Sequence, residues 1–388
     1  MPITFKRAGQ EAVALENVSF KGVALDKVTF KRAGQEAVTV FEKTPMAQIW
    51  GVSGLGNSDP TLTRTFDNVG KNFMTNMVTG EIMTGFDTEF NFETVVQNGN
   101  TMIKIPAFYK RFDTISNNQI TAFSISKTKV NDDFKPYPCF VKQDGSGTVM
   151  DYILVSKGKA TGTSSKATCV SGAYPLVDVT RAQMRTAARA NGAGWQQFDW
   201  MVHQLIRDLF CVVFATTNTQ SIFSGATTGA IKQRVGTTWN MNSPCGWDLT
   251  TKQCRFFGLE DIFGNVWDWC DGITFDGSSM YSTTNPTQFS DSVSNMTLSG
   301  ARGSGGWIIS CSYNTNQPFL NFPKAGSGSG STYYCDINWS DTAPGYHVYM
   351  VGTGAVDGIK GGLWATYTYH DSTSSGSDIS GRLVYRPE

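Results

Sequence analysis

Histidine is scarce in this 388-residue chain, which holds three, at positions 203, 347 and 370. Net charge is missing as well, since 32 basic residues face 32 acidic ones and no basic stripe appears. Phosphate-backbone binding rests on clustered Lys and Arg, so nucleic acid is not an expected partner. Charged residues make up 16%, against about 25% in an ordinary globular chain. Long apolar runs are absent. The longest, residues 209–215, falls far short of the roughly 18 residues that cross a bilayer, so no membrane insertion is expected. Residues 1–7 lack the apolar core of a secretion signal, and a soluble protein made in the cytoplasm is the expectation. No C-x-x-C pair occurs among the cysteines at 139, 169, 211, 245, 254, 270, 311 and 335. That argues against a zinc ribbon and for buried thiols, with a Cys245–Cys254 pair left open for an exported protein. H-E-x-x-H, G-x-S-x-G and Walker loops are also missing, and Gly352-Thr-Gly354-Ala-Val-Asp-Gly358 has the wrong spacing for a dinucleotide loop.

Glycine (40 residues) and aromatics (12%) are plentiful. Together with the low charge they predict a β-rich body with many turns and weakly charged faces. The N-terminus repeats itself: Thr-Phe-Lys-Arg-Ala-Gly-Gln-Glu-Ala-Val stands at 4–13 and again at 29–38. Val18/Phe20 and Val28/Phe30 alternate with period two, the strand signature. Residues 1–45 therefore read as a repetitive β-rich module for attachment or oligomerisation, pairing with neighbouring copies or a partner, or as a simple local meander. Residues 46–95 read as a connecting region with short strands, punctuated by Gly51, Gly54, Gly56, Asn57 and Pro60.

From 96 onward the pattern becomes that of a domain. Residues 102–109 and 151–155 have strand character. Thr180-Arg-Ala-Gln183 is a capping box that opens a helix running to Ala190, stopped by Asn191-Gly192. Arg181, Arg185 and Arg189 recur every fourth residue and read as a solvated face. A second helix spans 199–216, with Val202, Leu205, Ile206, Leu209, Val212 and Val213 as its buried stripe; His203 falls off that stripe and reads as exposed. Beyond 219 the chain is rich in Gly, Ser and Thr, and reads as loops and short strands.

Two segments carry the most information. Residues 258–272 set Phe263, Val266, Trp267 and Trp269 around a Gly264-Asn265 turn, which suits a hairpin or loop burying two indoles beside a sheet. Residues 380–386 close the chain with Ser380-Gly381-Arg382-Leu383. The pair resembles the G-N-V-W-E-W and G-x-R-L elements of the formylglycine-generating-enzyme type of C-type lectin fold. Within it, the chain is most similar to variable ligand-binding proteins diversified by retroelements, including tropism-determining phage tail proteins. The resemblance covers roughly 96–388 and implies an α+β fold, two helices packed on antiparallel sheets, preceded by the small β-rich N-terminal module. Trp267, Trp269, Trp364 and Arg382 would be scaffold.

The same fold serves oxidation and recognition. The resemblance to the oxidase branch implies two redox cysteines shortly before the last G-x-R element, yet residues 336–388 contain none; Cys311 and Cys335 precede Gly361-Gly362-Leu363-Trp364. Iron-dependent relatives need a histidine cluster that three scattered histidines do not form. Calcium-type sugar binders carry motifs that Gln317-Pro318-Phe319 and Asn338-Trp339-Ser340-Asp341 echo only in part. No cofactor is implied, although a structural or ligand-bridging calcium stays open.

Recognition has positive support. Seven of thirteen tyrosines (333, 334, 346, 349, 367, 369 and 385) fall in 333–385, among Ser, Thr, Gly, Asp and His. This is paratope-like composition: Tyr offers a large amphipathic face with two χ angles to immobilise. Alternation places Ala365, Tyr367 and Tyr369 on one side and Trp364, Thr366 and Thr368 on the other, one set inward and one outward. In the retroelement family a diversified position holds Tyr, His, Asp, Ser, Thr, Asn, Ala or Gly, but not Met, Trp or Lys. By that resemblance the variable region is about 333–385, and the expected ligand-binding set is Tyr346, His347, Tyr349, Thr366, Tyr367, Tyr369, His370, Asp371 and Ser372, while Trp339, Met350, Lys360 and Trp364 are fixed. The expected function is a non-enzymatic receptor-binding protein on a phage virion. Its partners would be a bacterial surface receptor, protein or glycan, two further copies in a homotrimer, and tail or baseplate proteins at the N-terminus. A bacterial surface adhesin and a formylglycine-generating-type oxidase are the alternatives.

Overall fold

The computed structural model describes residues 47–229 and 232–388 in full, and the backbone of six short strands among residues 1–46. Contacts divide the chain into Met1–Ala47 and Gln48–Glu388. In the first unit Ile3–Phe5 pairs with Val13–Leu15, Ser19–Phe20 with Val23–Ala24, and Lys27–Phe30 with Val38–Glu42, all antiparallel. The side chains of the repeat, on which an attachment role would rest, lie outside the described residues.

Both helices form where local signals place them. α1 (Arg181–Arg189) opens with the Gln183 amide donating to the Thr180 hydroxyl, while the Thr180 amide donates back to the Gln183 side chain at 2.9 Å. α2 (Trp200–Phe214) starts at Asp199, whose carboxylate accepts from the Met201 and Val202 amides. Ala215, at φ +51°, ends it in the left-handed region. Every residue of α2 is buried. Asp208 within it is partnered inside the protein, accepting from Lys110 Nζ and the Tyr137 hydroxyl, each at 2.7 Å.

The rest is β-structure. One five-stranded sheet runs Glu93–Gln97, Asn100–Pro106, Tyr152–Ser156, Leu383–Tyr385, Trp195–Gln197, with the chain's closing strand inserted between two others. A second joins Lys135–Pro136, Tyr109–Ser116, Gln119–Ser126, Trp50–Ser53 and Thr63–Phe66, and a third joins Leu259–Glu260, Cys254–Phe256, Cys245–Trp247, Glu81–Met83 and Met74–Asn76. The largest sheet is built on Trp267–Asp276, flanked by Ser279–Ser282 and Tyr346–Val351, with Ile379–Ser380 added in parallel.

Four expectations are corrected here. The α+β, C-type lectin arrangement is overturned: the fold is predominantly β, in several sheets, and helices of 9 and 15 residues are the only α-helices among the described residues. Most strands beyond 219 are two to five residues long, and the ten-residue Trp267–Asp276 is buried on both faces, so period-two patterning is missing there and the two strong helical signals outweighed them in the sequence. Residues 48–95 are no connector, since Trp50 and Val52 are core and Trp50–Ser53 sits between two strands of its sheet. Arg181 and Arg185 are buried against Asp271 and Asp291, with Arg185 Nε 2.6 Å from Asp271 and Arg181 Nε 2.8 Å from Asp291. His203 is buried too, its Nε2 3.0 Å from the Leu363 carbonyl; burial and the nearby Arg207 hold its pKa well below the ordinary histidine range.

Candidate functional site: an aromatic cleft

The 258–272 motif and the closing segment meet in space. Trp267 pairs with Ile379 and Asp268 with Ser380 in parallel register. Arg382, buried, reaches Asp268 at 3.2 Å and donates to the carbonyls of Glu260 and Asp261. Lys159 Nζ completes the arrangement 2.7 Å from Asp268. Two cations on one buried carboxylate fix the strand that carries both indoles. Gly264 and Asn265 turn the chain at φ +81° and +67°. A side chain at 264 would meet the Ala226 amide nitrogen at 2.8 Å, so glycine is required there.

Strand register then lines up a row of side chains. Trp269 faces Met350, Met350 faces Tyr367, and Tyr367 faces Trp339 on successive strands. Residues directly opposite one another share a face. Thr366, Asn338 and Val351 take the other face and are buried. The aromatic row is tightly nested. Trp267 stands edge-on to Trp339 at 5.3 Å and to Tyr367 at 5.7 Å. Tyr367 stacks on His370 at 4.6 Å, lies nearly parallel to Trp339 at 6.4 Å, and meets Tyr369 edge-on at 6.3 Å. Exposure rises along it, from Trp267 at 4% to Tyr369 at 55%.

Trp339, Tyr367 and Tyr369 line an open cleft of about 450 Å³ together with Gly305, Gly306, Ile337, Asn338 and Ser340. Larger and comparable clefts, of about 720 Å³ beside Phe66 and Tyr313 and about 380 Å³ beside Arg386, lie away from the expected residues. Arg302, fully buried, holds the cleft's rim: it donates to Thr368 and lies 2.8 Å from Asp341. The Thr368 amide donates to the Trp339 carbonyl at 2.8 Å.

The expected binding set divides. Tyr369 and Tyr346 are exposed, and Tyr367 and His370 are half-buried. Tyr349, packed on Phe275 and Phe322, is interior, and so is Thr366, whose hydroxyl donates to Asn338 at 2.8 Å. Neither presents a side chain to a ligand, because their strands turn those positions into the core. His347 is buried as well, its ring nitrogens 3.0 Å from the Tyr369 carbonyl and 3.2 Å from that of Ala343. It holds the segment carrying Tyr369 instead of facing solvent. Asp371 is exposed, but its carboxylate accepts from Thr373 and Ser374, which lowers its pKa and makes a turn. Ser372 is half-buried beside it.

Trp267, Trp269, Trp364 and Arg382 are all buried. Trp339, fixed scaffold by the retroelement resemblance, lines the cleft, and Gly305, Gly306 and Arg302 were missed altogether. The partial echo Asn338-Trp339-Ser340-Asp341 was the one signal available for Trp339, and Gly305, Gly306 and Arg302 had none. All eight cysteines are buried free thiols, so Cys245 and Cys254 do not pair. Burial pushes Cys311 and Cys335 up to about 12, which keeps both protonated at neutral pH.

No family model matches the chain, and no curated protein matches it. Among solved structures, PvdO from Pseudomonas aeruginosa is similar at a TM-score of 0.33 and 11% identity, over 76% of this chain and 98% of that one. A likeness at that score carries no argument about fold or activity.

Proposed function

We propose that this chain is a non-enzymatic receptor-binding protein of a phage tail, which selects its host by presenting the aromatic cleft to a bacterial surface molecule. The observation that carries the reading is the graded row from Trp267 to Tyr369: rigid rings whose last member is left in solvent. Ordering a floppy surface on binding costs entropy, whereas rings already packed on buried indoles lose little. The motif resemblance to retroelement-diversified proteins supports the same reading. So does the burial of Cys311 and Cys335, which disfavours the thiolate that redox chemistry needs. In this reading Met1–Ala47 joins tail or baseplate proteins, and a trimer raises modest single-site affinity through avidity.

Tyr369→Ala tests it. An exposed aromatic anchor is worth about 1–2 kcal/mol, so attachment to bacterial cells should fall about tenfold per site. The thermal melt should stay nearly unchanged, because the ring is 55% exposed and meets only the edge of the row at Tyr367. Undiminished attachment by the variant contradicts the proposal.

A further inference from the structure

We infer that the apolar tip of the Met74–Met83 hairpin is where copies of this chain pack on one another, whatever the cleft binds. Met74–Asn76 is the outermost strand of its five-stranded sheet and pairs on its inner side with Glu81–Met83. Ile82, opposite Thr75, is fully buried. Met74 and Met83, opposite each other and one position away, therefore share the outward face. Met77 and Val78 lie in the turn that joins the two strands. Leu249 reaches the same turn, since a side chain at Gly80 would meet its Cδ2 at 3.4 Å. Met74, Met77, Val78 and Met83 are between 60% and 83% exposed.

Area, edge and charge point to a copy of this chain as the occupant. The five residues present on the order of 600 Å², close to the roughly 800 Å² that each partner gives to an interface of standard size. That is at the upper end of what a monomer leaves exposed. The outer edge is unguarded: residues 72–80 hold no charge and no proline, two of the devices that keep a strand edge from joining another. A foreign partner is selected by complementary charge, and the tip offers none to read. The chain as a whole is neutral, with 32 basic and 32 acidic residues, so its copies do not repel one another. Beside the tip stand Glu81, two positions from Met83, and Lys252, whose Nζ lies 2.6 Å from the Leu249 carbonyl. One charge of each sign makes a polar rim that a second copy can match. Methionine suits the middle of such a contact, because its flexible thioether adapts to an irregular opposing face.

Sedimentation equilibrium of the full chain at rising concentration tests this. The native chain should reach the mass of two or more copies. Val78→Glu, in an exposed turn, should keep the native far-UV circular dichroism and weaken association by about a hundredfold or more, because the contact would bury an unpaired carboxylate. Leu298→Glu, at another exposed apolar position on the largest sheet, should associate as the native chain does. Mild peroxide, followed by peptide mass spectrometry, should oxidise Met74, Met77 and Met83 slowly in the assembled chain and quickly in Val78→Glu. A native chain that stays single at every concentration overturns the inference; fast oxidation would then mark the tip as free, and slow oxidation as covered by another part of the same chain. Association undiminished by Val78→Glu overturns it as well, with copies meeting elsewhere.

Discussion

Tyr369 and Trp267 lie at opposite ends of one aromatic row and should behave oppositely when removed. Trp267 is 4% exposed and supports both Trp339 and Tyr367. Deleting a buried indole leaves a cavity as well as a lost transfer term, so Trp267→Ala should cost about 3–5 kcal/mol in a denaturant titration. Binding should vanish with it, because the cleft wall loses its backing. A cost below about 1 kcal/mol would mean that the row is not anchored as described. The residue scale also shows why the binding set was only half legible. Tyrosine serves strands, cores and ligand faces alike, and composition does not separate Tyr349 against Phe275 from Tyr369 in solvent. Alternation did separate the Trp364, Thr366, Thr368 side, which is buried, from Tyr367 and Tyr369, although Ala365 is buried as well. Trp339 escaped because the retroelement resemblance bears on which positions vary and not on which ones line the cleft.

At the scale of elements, the segment 233–238 is held by a carboxylate that titrates near neutrality. Glu260 accepts from the Gly236 amide, the Thr238 amide and the Thr238 hydroxyl, at 2.7, 2.7 and 2.8 Å. Burial, with Asp261 adjacent, pushes its pKa up to about 7 from an ordinary 4.5. The folded chain therefore keeps this proton over a range in which the unfolded chain has released it. Its stabilising contribution is complete below the ordinary glutamate range and is lost as pH rises through about 7. Stability measured relative to Glu260→Gln should fall, by on the order of 1–3 kcal/mol, as pH climbs across that window. A difference that stays flat with pH would contradict the assignment. Elements were legible where their signals are local. The Thr180–Gln183 box and the Asp199 cap mark α1 and α2 within a residue or two. Partners distant in sequence were not: Arg185 meets Asp271 across 86 positions, so an every-fourth-residue arginine pattern looked like a solvated face. The helical stripe likewise identified one buried side of α2, while chain from elsewhere covers the others, His203 included.

Across the whole molecule, the two motif segments matter through their contact more than through either alone. Asp268 and Arg382 tie the middle of the chain to its closing strand, and the sheet growing from that junction ends in the aromatic cleft. Short strands from many parts of the chain build a mostly β body, and that assembly is what periodicity could not reveal. The central claim is that this cleft, and no other surface, meets the bacterial target. Hydroxyl-radical footprinting of the full chain, free and bound to bacterial cells, measures it most directly. The account predicts strong protection of Tyr369 and Trp339 on binding, with Phe66 and Tyr313 beside the larger cleft labelled as before. Unchanged labelling of Tyr369 and Trp339, with protection at Phe66 and Tyr313, would contradict it.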